Sequence, residues 1–468
     1  MRAGFSKVVI TPPLGQVPFA GYTGRQSFPR GVLTDEKGNR HELHARALVL
    51  MQGDEMDPEN AISLVSTDLF MLRYYWTQEV RDFASKLTGI PPENICIHAS
   101  HSHQGPDSLG IYYPGHDFDG NYLDVEWLSF LKRQIAGAIY GACRNTFKCK
   151  IGCGEGFLEG WTVNRRDISL YTNPPKNPRT IDPQVPVIRI DDVKGNARIM
   201  ITGYATHPTF TSTFEQWNSE HIGFLECKVK SILGPRVELM YFCGQAGDII
   251  PFQPVGDERL QLVLNPGSRK MKDYQVAVNV ASSQRGSTGV VLQDVSKLAE
   301  AIDSSKEELV NVLEIDTECN CSSTNDSLEI QCLDSPRAAF KAIDKFINYK
   351  RSMKTVQEFI NSFTEVIIPV FQDINTSSAL PVSMETESWK VVMDDPDMLD
   401  AYRPLINKGE VNFHADGSGE KKSEVQAIHI GKTYIALVPS EPINEIGLKV
   451  KKIIKDAASD LERVFLFQ

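Results

Sequence analysis

The sequence predicts an α/β fold with mixed sheets, βαβ units and a ligand site at strand ends. Three observations carry that expectation. Apolar runs of strand length, such as 62–65, alternate with segments whose apolar residues fall at helical spacing, such as Val80, Phe83 and Leu87. Strand pairs joined by short polar turns recur at 185–204 and 423–438, which reads as antiparallel hairpins. Several strands also run out into a carboxylate or a histidine, at Asp68, at His101 and His103, at His207 and at Glu441.

In chain order, Val8-Val9-Ile10 is a strand that runs into a turn stiffened by Pro12-Pro13, and Gly21 and Gly24 follow in a loop. Residues 43–50 form a strand with His44 and Arg46 on one face, and they pair with a buried strand at 62–68. A helix over 77–87, closed by Gly89 and Pro91-Pro92, leads to the strand 94–97. Strand, helix and strand over about forty residues make a βαβ unit with a parallel pair. Residues 127–143 are an amphipathic packing helix. The glycine-rich 150–156 is a strand or turn; without a following Lys-Ser/Thr it does not match a phosphate loop. After the hairpin at 185–204, a helix starts near 218–224 with Ser219 as N-cap. Residues 238–243 form a strand. Between about 255 and 360 the pattern weakens; a helix at 292–312, irregular strands at 314–333 and a charged helix at 335–363 suggest a cap or insertion. The last hairpin, 423–438, precedes Glu441 and a helix over 446–461.

Composition narrows the function classes. A chain of 468 residues, 41% hydrophobic and 23% charged, is an ordinary globular protein of one large or two medium domains. Its net charge of −11, with no long basic run, argues against nonspecific nucleic-acid binding and against a basic membrane-binding face. Nine cysteines form no regular framework, and Cys149-x3-Cys153 and Cys319-x-Cys321 lack the paired partners of a structural zinc site. They read as buried thiols in a reducing compartment. No run reaches the ~18 apolar residues of a membrane span, and no signal-peptide core precedes Val8, so the expected location is cytoplasmic.

The richest stretch is 97–106, Ile-His-Ala-Ser-His-Ser-His-Gln-Gly-Pro, with three of the ten histidines. If the strand continues to His103, then His101 and His103 share a face and His98 takes the other. Read from the residues alone, the pair fits either structural histidines capping a strand or the start of an open metal site. His207 could supply a third imidazole or simply close the core edge. Asp68, ending a strand of the same unit, belongs at the same carboxyl edge, where ligand sites of α/β sheets form. Gly247-Asp248 is either a turn or room for a substrate, and Arg165 is either solvated surface or an oxyanion partner.

Taken together, Gly21-Tyr22, the Arg46 strand, Ser66-Thr67-Asp68, His101-x-His103-x-Gly105-Pro106, Asn164-Arg165, His207-Pro208, Gly247-Asp248-x-x-Pro251 and Pro439-Ser440-Glu441 resemble, in their order, the catalytic domain of the neutral ceramidase family. The resemblance covers most of the chain. It implies a zinc ion (Zn2+) held by His101, His207, Glu441 and a tyrosine, with His103 and Arg165 facing the substrate. Asp68, Gly247 and Asp248 are then expected to line the substrate site. Two departures stand out. The family's active-site serine is Ile250 here, and the chain stops at 464–468, before the loop of the tyrosine ligand and the immunoglobulin-like domain. The expectation is therefore one ceramidase-like domain over 1–468 without that second domain.

Two imidazoles, a carboxylate and an open position suit zinc that activates water for attack on an amide. His103 is then the general acid or base, and Arg165 the oxyanion stabiliser. The expected function is a zinc-dependent amide hydrolase acting on a small-molecule or lipid amide. The alternatives are a non-catalytic binding protein of the same fold, favoured by Ile250, and a hydrolase of a small soluble ester or lactone. A two-metal phosphatase or nuclease would want more aspartates clustered near Asp68.

Overall fold

The computed structural model describes residues 1–22, 26–35, 37–53, 57–115, 122–168, 179–211, 214–251, 323–324, 327–328, 336–393, 412–413 and 419–468. In chain order the main elements begin with β1 (Arg2–Val9), β2 (His44–Met51), β3 (Ala61–Thr67), α1 (Tyr74–Thr88), β4 (Ile95–Ala99), α2 (Val125–Arg144) and β5 (Thr146–Phe157). They continue with β6 (Thr162–Asn164), β7 (Gln184–Asp192), β8 (Ala197–Tyr204), α3 (His221–Leu233), β9 (Glu238–Cys243) and β10 (Ile249–Pro251). Last come α4 (Pro336–Asp373), β11 (Val382–Met393), β12 (Gly419–Ile430), β13 (Thr433–Leu437), α5 (Asn444–Ala457) and β14 (Arg463–Phe467).

The expected mixed α/β class is the one observed. Eight strands form one sheet in the order β4-β3-β2-β1-β5-β7-β8-β9. The β3-α1-β4 unit pairs in parallel, as its sequence implied, and so do β8 and β9; β2–β3 and β7–β8 are antiparallel. The sheet curls until its edges meet without closing a ladder. Ser66 Oγ on β3 donates to the Tyr241 carbonyl of β9 at 2.5 Å, and the Cys243 N–H donates to His98 Nε2 at 3.1 Å.

Strand alternation sorts the core into layers. On β2, Ala45, Ala47, Val49 and Met51 pack with Val80 and Ala84 of α1 and with Leu131, Ile135 and Ile139 of α2. Leu48 and Leu50, of opposite parity, join Ile188, Ile190, Met240 and Phe242 against Ile428, Ile435, Phe465 and Phe467 of a second sheet. The main path of that sheet is β11-β12-β13-β14, and its last pair is parallel. On the other half of the large sheet, α3 and α4 cover Val187, Met200, Leu239 and Tyr241.

Two helix ends are closed by residues suited to capping, the first of them expected from the sequence. Gly89 takes φ 80 to cap α1, and Asp124 Oδ1 accepts the Trp127 N–H at 2.7 Å to start α2. Ser219 does not cap α3. That helix begins one residue later, and Glu220 stands at its N-cap without a side-chain cap bond. The glycines of β5 have a packing role. A Cβ on Gly152, Gly154 or Gly156 would press on Ile374, Val370 or Val366, which lie in or just after α4. Most of the expected cap at 255–360, including the helix expected at 292–312, lies outside the described residues. Residues beyond it on α4 (Phe363, Ile367 and Phe371), and Phe359 and Ile360 just before its end, are core.

Candidate metal centre

Three loops that leave the carboxyl ends of β4, β8 and β13 converge on one cluster. His101, His103 and His207 bring ring nitrogens within 4.8 Å of one another, and all three are buried. Glu441 completes it: its Oε1 lies 3.2 Å from His101 Nε2 and 2.7 Å from His207 Nε2.

The histidine pair does not arise from strand alternation. β4 ends at Ala99, and His101 adopts φ 65, a left-handed conformation that costs a β-carbon residue about 1–2 kcal/mol. The surrounding bonds hold it there: the Ser100 N–H donates to Thr67 O at 2.9 Å, and the Ser102 N–H to Leu69 O at 3.1 Å. The turn brings the His101 and His103 ring centroids to 5.0 Å. His98 stays out of the cluster, with its Nε2 on Cys243 and its ring against Phe242. Ser440, immediately before Glu441, is also left-handed at φ 69. Backbone strain of this kind persists where the surroundings over-determine it, and it gathers at functional sites.

The imidazoles are aimed by their far nitrogens. His101 Nδ1 donates to the Phe70 carbonyl at 3.1 Å, and His207 Nδ1 to the Ile249 carbonyl at 2.9 Å. Carbonyls accept only, so each ring carries its hydrogen on Nδ1 and turns the Nε2 lone pair toward Glu441. Burial pushes the His101 imidazole below its ordinary pKa despite the adjacent carboxylate. With Nδ1 committed to a carbonyl, each Nε2 is left to converge with one oxygen of Glu441 on a single point. The donor set fits zinc.

His103 is held beside this set. A Cβ on Gly21, which has φ 94, would fall 2.5 Å from the His103 ring, so only glycine lets the chain pass there. Tyr22 meets the same ring edge-on at 4.6 Å, and Phe70 stacks on His101 at 4.5 Å.

The other expected site residues take supporting positions. Asp68 does not face the cluster; it is fully buried, with both oxygens on Arg46 Nη1 at 2.9 and 3.0 Å and Oδ2 also accepting the His44 N–H. Arg46 reaches Glu226 of α3 at 2.9 Å with its other terminal nitrogen. Gly247 lies against the Glu441 loop: its N–H donates to Pro442 O at 3.0 Å, and a Cβ there would be 2.5 Å from Glu441 O. Asp248 accepts from Asn164 Nδ2 at 2.9 Å and from the Asn444 N–H at 2.8 Å, which ties β6 to the start of α5. Arg165 donates its backbone N–H to Asp248 O at 2.7 Å and has an exposed side chain. Ile250 lies in β10, paired with Val163. Sequence reasoning missed Glu226, Asn444 and the carbonyls of Phe70 and Ile249, because contacts across the fold leave no local signature.

Comparison with known proteins bears on the family and the fold. Residues 1–219 match the family described as neutral/alkaline non-lysosomal ceramidase, N-terminal, a span that holds His101, His103, Arg165 and His207 and ends before Glu441. A neutral ceramidase of Mycobacterium tuberculosis is 25% identical over 179 residues, 37% of this chain and 28% of that protein. The neutral ceramidase structure from Pseudomonas aeruginosa superposes at a TM-score of 0.58 and 15% identity, covering 100% of this chain and 66% of that one. A ceramidase complexed with C2 gives 0.57 and 15%, covering 100% and 68%. The chain thus spans about two thirds of the length of these solved structures, and at such identity the likeness is one of fold. Residues 1–219 thus resemble the N-terminal domain of neutral/alkaline non-lysosomal ceramidases, and the chain shares the fold of the solved neutral ceramidases.

Proposed function

We propose that the chain is a zinc-dependent hydrolase of the amide bond of an N-acyl lipid of ceramide type. The observation that carries this reading is the aim of His101 Nε2 and His207 Nε2 at one oxygen of Glu441. These three residues would hold the metal. When bound, zinc supplies Lewis acidity toward a carbonyl and makes water acidic enough to serve as a nucleophile near neutral pH.

The chain's own groups do the rest. The Phe70 and Ile249 carbonyls fix the tautomers of the two ligand imidazoles. His103, clamped between Gly21 and Tyr22, is the group placed to take a proton from water and return it to the leaving amine. Arg165, beside the Asp248 clamp, is assigned to the developing oxyanion. Asp68, Gly247 and Asp248 act by positioning: the first through Arg46, the other two by seating the loop of Glu441. One observation favours a second reading, a binding protein without turnover: Ile250 occupies the position where the resemblance implies serine.

Metal analysis with an amide and ester panel tests both. We expect a single zinc per chain, lost in His101→Ala and in His207→Ala and retained in His98→Ala. Equal zinc loss from all three variants would end the ligand assignment. Full zinc occupancy without turnover of any N-acyl substrate would favour the binding protein.

A further inference from the structure

We propose that Gln104 is a positioning residue for the metal centre, its buried carboxamide fixing the loop of His101 and His103 against the loop that follows His207. The proposal rests on the metal-site reading above. Gln104 comes directly after His103, and its Nε2 donates to two carbonyls of the second loop, Thr211 O at 2.7 Å and Phe214 O at 2.8 Å. Thr211 is itself held from three sides. Its N–H donates to Glu220 Oε2 at 2.7 Å, its hydroxyl donates to Asn218 Oδ1 at 2.8 Å, and its carbonyl accepts from Gln104. The Glu220 N–H returns to Asn218 Oδ1 at 2.8 Å.

Gln104, Thr211, Asn218 and Glu220 are all fully buried, so each of these bonds forms away from competing water. Glu220 adopts φ 55, and the network is what holds that strained backbone. Thr211 lies four residues after His207, so the carboxamide links the two histidine-bearing loops close to both ligands. The chemistry selects glutamine. Bridging two carbonyls takes one group with two N–H donors, which neither a carboxylate nor a thioether provides.

Zinc dissociation constants, measured by competition with a chromophoric chelator, test the proposal independently of turnover. Gln104→Met keeps the side-chain shape and removes both donors; we expect zinc binding about 10-fold weaker or more. Gln426→Met is the control. Gln426 is a buried glutamine whose Nε2 donates to Glu93 O and Ile95 O at the opposite end of β4. It should lose thermal stability yet hold zinc within about twofold of wild type. Thr211→Val, which removes only the hydroxyl bond, gives a milder readout should Gln104→Met fail to fold, with an expected weakening of about threefold. Wild-type zinc affinity in a folded Gln104→Met or in Thr211→Val overturns the proposal, as does equal weakening in Gln426→Met. A wild-type chain that takes up no zinc fails the metal reading itself and the proposal with it.

Discussion

His221 is fully buried against Phe210, Tyr241 and Phe359, and among the described residues neither of its ring nitrogens has a hydrogen-bond partner. Burial accordingly pushes its pKa down from 6.5 to about 3. The linkage has a definite sign. Between pH 6.5 and about 3 the unfolded chain binds a proton on this residue that the folded chain does not. Stability therefore falls as pH falls through that window, by up to ~1.4 kcal/mol per pH unit for one proton. His98 and His44, both also lowered to about 3 chiefly by burial, act in the same direction. His221→Phe keeps the ring contacts and removes the proton uptake. We expect it to match or exceed wild type at pH 7 and to gain on it as pH drops from 6.5 to 4. Urea unfolding at a series of pH values checks this; two parallel stability curves would refute it.

At the level of elements, the seat of Glu441 is a contact between the β9–β10 turn and the segment 439–442. Gly247 makes it possible, because its missing side chain leaves room for the carbonyls of Glu441 and Pro442. A methyl group at 2.5 Å from backbone oxygen cannot be absorbed by a side-chain rotation, so the turn or the loop must move. Gly247→Ala is expected to destabilise the fold by about 1–3 kcal/mol and to weaken zinc about 10-fold or more through displacement of Glu441. The paired measurement is zinc affinity with urea unfolding; unchanged zinc binding in the variant would detach this turn from the metal centre. β5 shows the limit of sequence reading at this scale. Its glycines could be excluded from a phosphate loop by motif, but their purpose, room for α4, depends on a helix more than 180 residues away.

Across the whole molecule, the Arg46 network ties the neighbouring strands β1, β2 and β3 to helix α3, which covers the other half of the sheet. Arg46 of β2 bonds Asp68 after β3 and Glu226 of α3, while Lys7 of β1 reaches Glu226 at 2.5 Å. Burial would lower the Arg46 pKa, and the two carboxylates outweigh it and hold the guanidinium charged. Removing one member leaves uncompensated charge in the interior. Arg46→Met is expected to cost about 3–5 kcal/mol, and Arg46→Met with Asp68→Asn and Glu226→Gln less than the single variant, since the stranded carboxylates are gone. Denaturant midpoints of the two variants decide it. A loss below ~1 kcal/mol in Arg46→Met would place the network among surface-like ion pairs.

Local pattern along the chain was enough for the mixed α/β class, the β3-α1-β4 unit, both hairpins and the strand-end positions of His101, His207 and Glu441. Those features follow from local periodicity and turn chemistry, which a linear chain displays directly. What it could not display is how those strand ends meet. The left-handed turn at His101, the carbonyls that orient the imidazoles and the partners of Asp68 and Gln104 are set by contacts between residues 22 to 110 positions apart. Only the curled sheet, by bringing its two edges together, decides which buried polar groups find one another.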